Sequence, residues 1–270
     1  MALADHLREL RNRLGISLLA FGVGVVVAFI FWEPIFEFLR QPYCSTTQGA
    51  KNCNLFALGI FDQFLVRMKV SFIAGAVLTS PIWLYQLGAF ITPALHRREK
   101  KYAAAFLGAS LVLFAIGCAF AYFTISRGLN FLLSVGGGDV TTLLSIQSYL
   151  SFVTLMLLAF GVAFLFPVVV SFLNITGILS TDRMRSSRRG MIFGIFAFSA
   201  VITPSQDPFT FMAMAIPLCV LYEGCIVIGR LRDRTRRRAI STDPLAQLSD
   251  DEASYVDPTP SYVDPRPSSL

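Results

Sequence analysis

Long runs of apolar residues constrain this chain more than any other feature. Uncharged or nearly uncharged blocks occur at 15–32, 70–95, 102–126, 149–173, 190–202 and 209–229. A helix that crosses a bilayer needs about 20 mostly apolar residues, and the first four blocks are long enough. Only 15% of the residues are charged and 54% are hydrophobic, against roughly 25% charged in soluble domains. We therefore expect an all-α, polytopic membrane protein with six transmembrane helices.

The last two predicted helices are short. The block at 190–202 has 13 residues, which at about 1.5 Å rise per residue gives roughly 20 Å against a hydrocarbon core of about 30 Å. It must recruit flanking polar residues, or the bilayer must thin around it. The intervening segment TPSQDP, at 203–208, contains two prolines and an aspartate, which predicts a tight hairpin connection.

The basic residues predict the orientation. Seventeen of them lie in the segments 8–13, 97–101, 183–189 and 230–238. These segments fall on the same side of the membrane if each of the six helices crosses it once. The opposite side carries five, namely Arg40, Lys51, Arg67, Lys69 and Arg127. Because cytoplasmic loops are enriched in Lys and Arg, both termini are expected in the cytoplasm, and the protein in the cytoplasmic membrane.

Three regions are expected along the chain. Residues 1–14 form a cytoplasmic amphipathic segment, with Leu3, Leu7, Leu10 and Leu14 at helical spacing. Residues 15–229 form the transmembrane domain; its first helix is expected to be retained, because its apolar core exceeds that of a signal peptide. Residues 230–270 form a basic and then disordered cytoplasmic tail, in which SYVDP occurs at 254–258 and again at 261–265.

Composition argues against several classes of function. The five cysteines and two histidines show no metal-ligand spacing, so neither a metal site nor another cofactor is expected. The net charge is +6, and the basic residues lie between the apolar blocks. This distribution indicates a membrane surface rather than nucleic acid as the partner. No nucleophile and base pattern predicts an enzyme. The alternative function, a small-solute or ion transporter, predicts internal repeats and midplane charges, and neither is evident.

Two carboxylates stand among basic residues, and each has two explanations. Glu9 precedes Arg13 by four residues, the favourable order for an intrahelical ion pair. Glu99 is the one acid in the loop HRREKK and would relieve repulsion between its neighbours. Alternatively, either carboxylate would accept a guanidinium from a partner through paired hydrogen bonds. Sequence spacing leaves both explanations open.

Several uncommon motifs resemble one family in order and spacing. They are HLRELRNRL, LYQLGAFITPALHRREKKY, AFAYF, SYLSF, AFGVAFLFP, ITPSQDPF, AIP and YEG. Together they resemble the TatC family of the twin-arginine protein translocase over about residues 3–232. The external loop with two cysteines, FDQF and RMKV is most similar to actinobacterial members.

The resemblance implies a receptor for signal peptides that bear consecutive arginines. Such a receptor works with TatA- and TatB-type membrane proteins, in an oligomeric complex within the lipid bilayer, and exports folded cargo with the proton-motive force. The positions that match the family's signal-contacting residues are Glu9, Arg11, Phe90, Pro93, Leu95 and Glu99. The glutamates would receive guanidinium groups, and Phe90 and Leu95 would offer apolar contact to flanking signal residues.

Other positions match or depart from the family pattern. Asp207 and Glu223 match as further functional polar residues, although Glu223 has a second explanation, an ion pair with Arg230 or Arg232. Leu165 and Phe211 stand where the family often has a glutamate and a glutamine. This puts in doubt any polar role at those two positions.

The cysteines divide into two groups. Cys44 and Cys53 lie in the predicted external loop, where a disulfide persists, and we expect them to be joined. Cys118, Cys219 and Cys225 fall within predicted helices and are expected to be small packing residues.

Overall fold

The structure is a computed structural model that describes residues 3–45, 53, 55–91, 100–135, 144–203 and 207–242. All regular secondary structure in these residues is helical. The helices are α1 (Leu3–Ile30), α2 (Trp32–Cys44), α3 (Asp62–Leu78), α4 (Ser80–Ile91), α5 (Lys100–Val135), α6 (Ile146–Ala163), α7 (Phe166–Ile175), α8 (Thr181–Ser186), α9 (Arg188–Ile202) and α10 (Pro208–Thr242). The prediction of an all-α chain is therefore confirmed for the described part.

Four helical stretches in the described residues are long and apolar enough to cross a membrane. They are Leu7–Ile30, Ala105–Phe131, Ile146–Ile175 and Pro208–Thr235. A fifth is added if α3 and α4, which bend by 54° at their junction, count as one broken span. The predicted fifth helix appears as α9, whose 15 residues extend about 22 Å. Six spans thus remain a prediction, while a multi-pass membrane architecture is established.

The bend between α3 and α4 occurs where the sequence places a proline. Pro81 lies in the first turn of α4, where its missing N–H costs no helical hydrogen bond. Carbonyls freed by a break inside a bilayer must find donors within the protein. Here the Thr79 hydroxyl donates to the Gly75 carbonyl at 2.7 Å, and the Trp83 indole N–H donates to the Ala76 carbonyl at 2.9 Å.

The other prolines behave differently from one another. Pro167 lies in the first turn of α7, directly after the break at Phe164 and Leu165 that separates α6 from α7. Leu165 precedes that turn. Pro217 lies inside α10, which continues through it. Pro81 and Pro167 thus lie at helix boundaries, whereas Pro217 does not.

Helices α1 and α3 approach closely through two glycines. A Cβ added to Gly75 would lie 2.7 Å from the backbone nitrogen of Val25, and one added to Gly24 would lie 3.0 Å from the Gly75 carbonyl oxygen. Small residues let membrane helices pack backbone against backbone, which maximises van der Waals contact where no hydrophobic effect drives association. This contact fixes α1 beside α3.

Helix α6 forms the centre of the core. Tyr149, Leu150, Val153, Met156 and Phe160 are all fully or almost fully buried. The Tyr149 hydroxyl donates to the Leu39 carbonyl at 2.7 Å, which holds α2 against α6. A buried hydroxyl requires such a partner, because an unpaired one would lose its hydration without replacement.

The described part of the segment between α2 and α3 is tied at two points. Cys44, at the end of α2, is joined to Cys53 in a disulfide, with Cα atoms 5.1 Å apart. Beyond it, the Phe56 N–H donates to the Leu144 carbonyl at 3.2 Å, and the Ile146 N–H donates to the Phe56 carbonyl at 2.9 Å. These bonds hold the segment beside the start of α6.

The chain divides into two units, residues 1–229 and 230–270. The first contains the helices described above up to Gly229 of α10. In the second, α10 continues to Thr242, and the Thr235 hydroxyl donates to the Leu231 carbonyl at 3.0 Å. The repeats of SYVDP lie outside the described residues.

Candidate functional site

The structure places three of the six predicted signal-contacting residues. Glu9 and Arg11 lie in the first turns of α1, and Phe90 lies near the end of α4. Arg11 is exposed and Phe90 is half-buried. Pro93, Leu95 and Glu99 lie outside the described residues, so their positions relative to Glu9 stay a prediction.

Glu9 forms the ion pair that its spacing from Arg13 suggested. The Arg13 guanidinium donates to one carboxylate oxygen, Oε1, through Nε at 3.0 Å and through a terminal nitrogen at 2.6 Å. Among the described side chains, the other oxygen of Glu9 accepts no hydrogen bond. Both side chains are half-buried. The carboxylate is therefore held in place by one guanidinium while it keeps an oxygen available.

Gln86 brings α4 into the same site. The second terminal nitrogen of Arg13 donates to Gln86 Oε1 at 3.4 Å, a long hydrogen bond. Phe90 lies four residues after Gln86 in α4 and so shares its helical face. The Arg13 guanidinium thus links the start of α1 to the face of α4 that carries Phe90.

An open groove lies along this junction, with a volume of about 410 Å³. It is lined by Arg8, Glu9, Asn12, Arg13, Ile16 and Gln86. Two guanidinium groups and one carboxylate face it, so its described wall carries a small excess of positive charge. Glu9 alone is consequently a weak attractor for a cationic ligand, and a second carboxylate is needed to favour one.

Sequence reasoning missed Gln86 and Asn12. Gln86 is the one amide in the otherwise apolar helix SPIWLYQLGAFI, and that contrast was the available signal. Asn12 lies within the motif HLRELRNRL between two arginines, where it resembles any exposed helical residue. Their proximity depends on the packing of α1 against α4, which the spacing of residues along the chain does not encode.

Asp207 caps the last helix. It is 4% exposed, and its carboxylate oxygen Oδ2 accepts the Thr210 N–H at 2.7 Å. An aspartate at this position, followed by Pro208 in the first turn, is a favoured helix start. Within the described residues its other oxygen has no hydrogen-bond partner. The hydroxyl oxygens of Ser199 in α9 and Thr210 in α10 are also buried, and within the described residues neither has a hydrogen-bond partner.

Glu223 pairs with a residue that the sequence did not suggest. Its ion pair is formed with Arg188, the first residue of α9, and Nε of Arg188 donates to Oε1 at 2.8 Å. The alternative explanation, a partner at Arg230 or Arg232, placed the pair about two to two and a half turns along α10. The hydrogen bonds that Arg188 donates to the Glu223 carboxylate raise the pKa of the Arg188 guanidinium. The pair joins α9 to α10.

No group of three metal-ligating side chains occurs within the described part of the chain. Cys225 instead contacts Ser171 and the Pro167 carbonyl in the packed interior. Cys118 lies against the Leu157 carbonyl. These thiols act as small packing residues at helix contacts.

Comparison with known proteins identifies the fold. The profile of the family described as TatC, Sec-independent protein translocase protein, matches residues 5–217. The chain belongs to the TatC family. This confirms the resemblance drawn from the motifs. Membership makes the chain a translocase subunit, a component of membrane transport rather than an enzyme, and it gives no support to a small-solute or ion transporter.

Relatives named TatC align over most of this chain. The Sec-independent protein translocase protein TatC of Frankia casuarinae is 49% identical over 94% of this chain and 72% of its own length. The Aquifex aeolicus protein of the same name is 38% identical over 88% of this chain and 98% of its own length.

A solved structure agrees with the fold described above. A crystal structure of the twin arginine translocase receptor TatC in DDM has a TM-score of 0.73 and 38% identity. The alignment of the two structures covers 83% of this chain and 99% of that chain. The helical membrane architecture of the TatC family therefore applies to the described helices.

Proposed function

We propose that this chain is the receptor that recognises twin-arginine signal peptides on folded cargo proteins. The groove at the junction of α1 and α4 carries the proposal, because Glu9 holds one guanidinium there and keeps a free oxygen. Similarity to structures described as the twin arginine translocase receptor supports it.

The bound Arg13 illustrates how the site would receive a ligand. Its guanidinium shows that a charged fork fits against Glu9 at hydrogen-bond distance. An arginine of the signal peptide would use the other oxygen of Glu9. Because Arg8 and Arg13 offset the charge of Glu9, the second signal arginine requires a separate acceptor, which we assign to Glu99.

The remaining proposed contacts are apolar or conformational. Phe90, on the same face of α4 as Gln86, would pack against the apolar residues that flank the arginines, together with Leu95. Pro93 would fix the backbone of the intervening loop. Arg11, exposed one residue before Asn12, would contact the polar part of the signal peptide.

We also propose that Asp207 and Glu223 act by fixing the last hairpin. Asp207 begins α10, and Glu223 joins α10 to α9 through Arg188. Partners of the TatA and TatB type would assemble on the membrane-facing helices, and the proton-motive force would drive export. The chemistry of recognition itself needs no cofactor.

The receptor proposal predicts a preference for arginine over lysine in the signal peptide. A photo-crosslinking peptide with the arginine pair should bind at least about tenfold more tightly than its lysine-lysine variant. Both peptides carry the same charge, so the difference in affinity measures the contribution of the paired hydrogen bonds that only a guanidinium can donate. The measurement is a titration of crosslinked product on the purified full-length protein. Equal binding of the two peptides would contradict the proposal.

Six spans with both termini in the cytoplasm are the topology that we propose. It predicts that the substitution Arg183→Cys, in a background without the native free thiols, gives a cysteine labelled only after the membrane is opened. Ile60→Cys is the matched control, because residue 60 is almost fully exposed and lies on the opposite side in this topology. A membrane-impermeant maleimide on intact cells should label the control alone. Labelling of position 183 from outside would show that the orientation is wrong.

A further inference from the structure

A cluster of arginines lies in α8 and at the start of α9, and none of them lines the groove at the start of α1. Arg183 and Arg185 lie in α8, and Arg188 and Arg189 begin α9. The cluster follows closely after Ile175, where the apolar stretch Ile146–Ile175 ends. A segment just beyond the end of a membrane span lies at the depth of the lipid headgroups.

Helix α8 is fixed to the protein by its buried face. Thr181 and Met184 are buried, and the Tyr222 hydroxyl donates to the Met184 carbonyl at 3.0 Å. The Asn174 side-chain amide donates to the Thr181 hydroxyl at 3.1 Å and to the Leu179 carbonyl at 2.9 Å. These bonds hold the backbone that carries Arg183 and Arg185, so little further backbone freedom is lost when the arginines bind a ligand.

Most of the positive charge in this cluster is not neutralised by the protein. Glu223 pairs with Arg188, as described above. Arg183, Arg185 and Arg189 are exposed, and none forms an ion pair with a described acidic side chain. Asp182 is the one carboxylate in α8 and is also exposed. Three guanidinium groups against one carboxylate favour an anionic partner.

An exposed apolar side chain precedes the arginines. The turn after α7 contains Gly177, whose φ of +80° lies in the left-handed region that favours glycine. The Leu179 N–H donates to the Leu173 carbonyl at 2.9 Å, which closes this turn. Ile178 between them is 68% exposed. An apolar residue beside a basic cluster is the pattern of a segment that lies in the membrane interface.

We propose that Ile178, Arg183, Arg185 and Arg189 form a binding surface for the headgroups of anionic phospholipids. The guanidinium groups would donate paired hydrogen bonds to the lipid phosphate, and Ile178 would enter the boundary of the acyl chains. None of these residues lines the groove beside Glu9, so we expect the surface to act separately from signal recognition.

The test measures how much phosphatidylglycerol the full-length protein retains. The protein is placed in nanodiscs of phosphatidylcholine containing phosphatidylglycerol, released in mild detergent, and its bound lipid is counted by native mass spectrometry. Each arginine near an anionic surface contributes about 1 kcal/mol, or roughly fivefold. The combined variant Arg183→Gln, Arg185→Gln, Arg189→Gln should therefore retain phosphatidylglycerol at least about tenfold more weakly. Ile178→Ser should also lower retention.

A matched control separates this surface from net charge. The variant Arg234→Gln, Arg236→Gln, Arg237→Gln removes the same charge from the second unit and should lower retention less than the first triple variant does, because the exposed Ile178 and the anchored backbone of α8 belong to the proposed surface. Equal loss in both triple variants, or loss in neither, would overturn the proposal. Inorganic phosphate at equal ionic strength should not displace the lipid, and displacement would indicate a free-anion site instead. Unchanged binding of the twin-arginine peptide by the triple variant is expected, and its loss would assign these arginines to the signal peptide.

Discussion

Replacing Glu99 by alanine is expected to weaken binding of a twin-arginine signal peptide about ten- to a hundredfold. Loss of a charge-assisted pair with an arginine costs about 1.5–3 kcal/mol. Glu99 lies among basic neighbours in a predicted exposed loop, so its removal should change stability by no more than about 0.5 kcal/mol. Binding and stability should thus separate. Direct binding assays on membranes of matched protein content, together with thermal unfolding of the purified variant, measure both.

Two comparisons define what the Glu99 result means. Glu99→Gln keeps the shape and one acceptor oxygen without the charge, so an intermediate loss is expected if a guanidinium is bound there. The lysine-lysine peptide should lose less than the arginine peptide when Glu99 is removed. If Glu99→Ala binds both peptides as the parent does, Glu99 serves only to offset its basic neighbours, and the proposed site is wrong.

Glu9→Ala should weaken binding less than Glu99→Ala. Arg13 already offers its guanidinium to Glu9, and the nearby Arg8 adds further positive charge to the groove. A signal arginine there gains one oxygen of a partly neutralised carboxylate. The pair with Arg13 is therefore the reason to expect a smaller loss at Glu9.

Gly75→Ala is expected to destabilise the protein by about 1–3 kcal/mol. The added Cβ would lie 2.7 Å from the backbone nitrogen of Val25, and backbone cannot rotate away as a side chain can. Helices α1 and α3 would have to separate to relieve this clash, and they would then lose van der Waals contacts along their shared face. Any clash that is not relieved leaves strain at the contact. The midpoint of thermal unfolding in detergent measures the effect.

Gly22→Ala is the matched control, since the Cβ that it adds has no neighbour within 4 Å beyond the adjoining residues and backbone of its own helix. This second glycine also lies in a long membrane helix, α1. Alanine favours helix over glycine by about 0.5–1 kcal/mol, so the control should be neutral or slightly stabilising. Opposite signs for the two variants are the expected pattern. Equal effects would mean that the close approach of α1 to α3 does not limit stability.

The long helices were predictable from the sequence because each contains enough apolar residues to satisfy a single physical requirement, crossing the hydrocarbon. Helix α2 was not, since WEPIFEFLRQPYC contains three charged residues and two prolines and resembles a loop. It forms because Leu39 and Tyr43 are buried, and the Leu39 carbonyl accepts the Tyr149 hydroxyl from α6. That stabilisation comes from a residue 110 positions away, which local patterns do not contain.

In the candidate site, likewise, contacts within one helix were predictable from the sequence and contacts between helices were not. The Glu9 and Arg13 pair follows from helical spacing alone. The contact from Arg13 to Gln86 joins residues 73 positions apart, and the pair of Arg188 and Glu223 joins residues 35 positions apart. Both depend on which helices pack together. Family resemblance supplied residue types for the site, whereas the neighbours of those residues came from the packing.

The continuity of α1 has a mechanical consequence. Its 28 residues form one uninterrupted helix of about 42 Å, without the break that interrupts α3 and α4. Near its far end, the Phe29 carbonyl accepts a hydrogen bond from Arg67 at 2.8 Å, and the Arg67 guanidinium lies 4.2 Å from the centre of the Phe29 ring. A continuous helix that is held near both ends moves as one rigid unit, so a tilt at one end also displaces the other end. A ligand that tilts α1 at Glu9 would therefore also displace the contact with Arg67 at the other end of the helix.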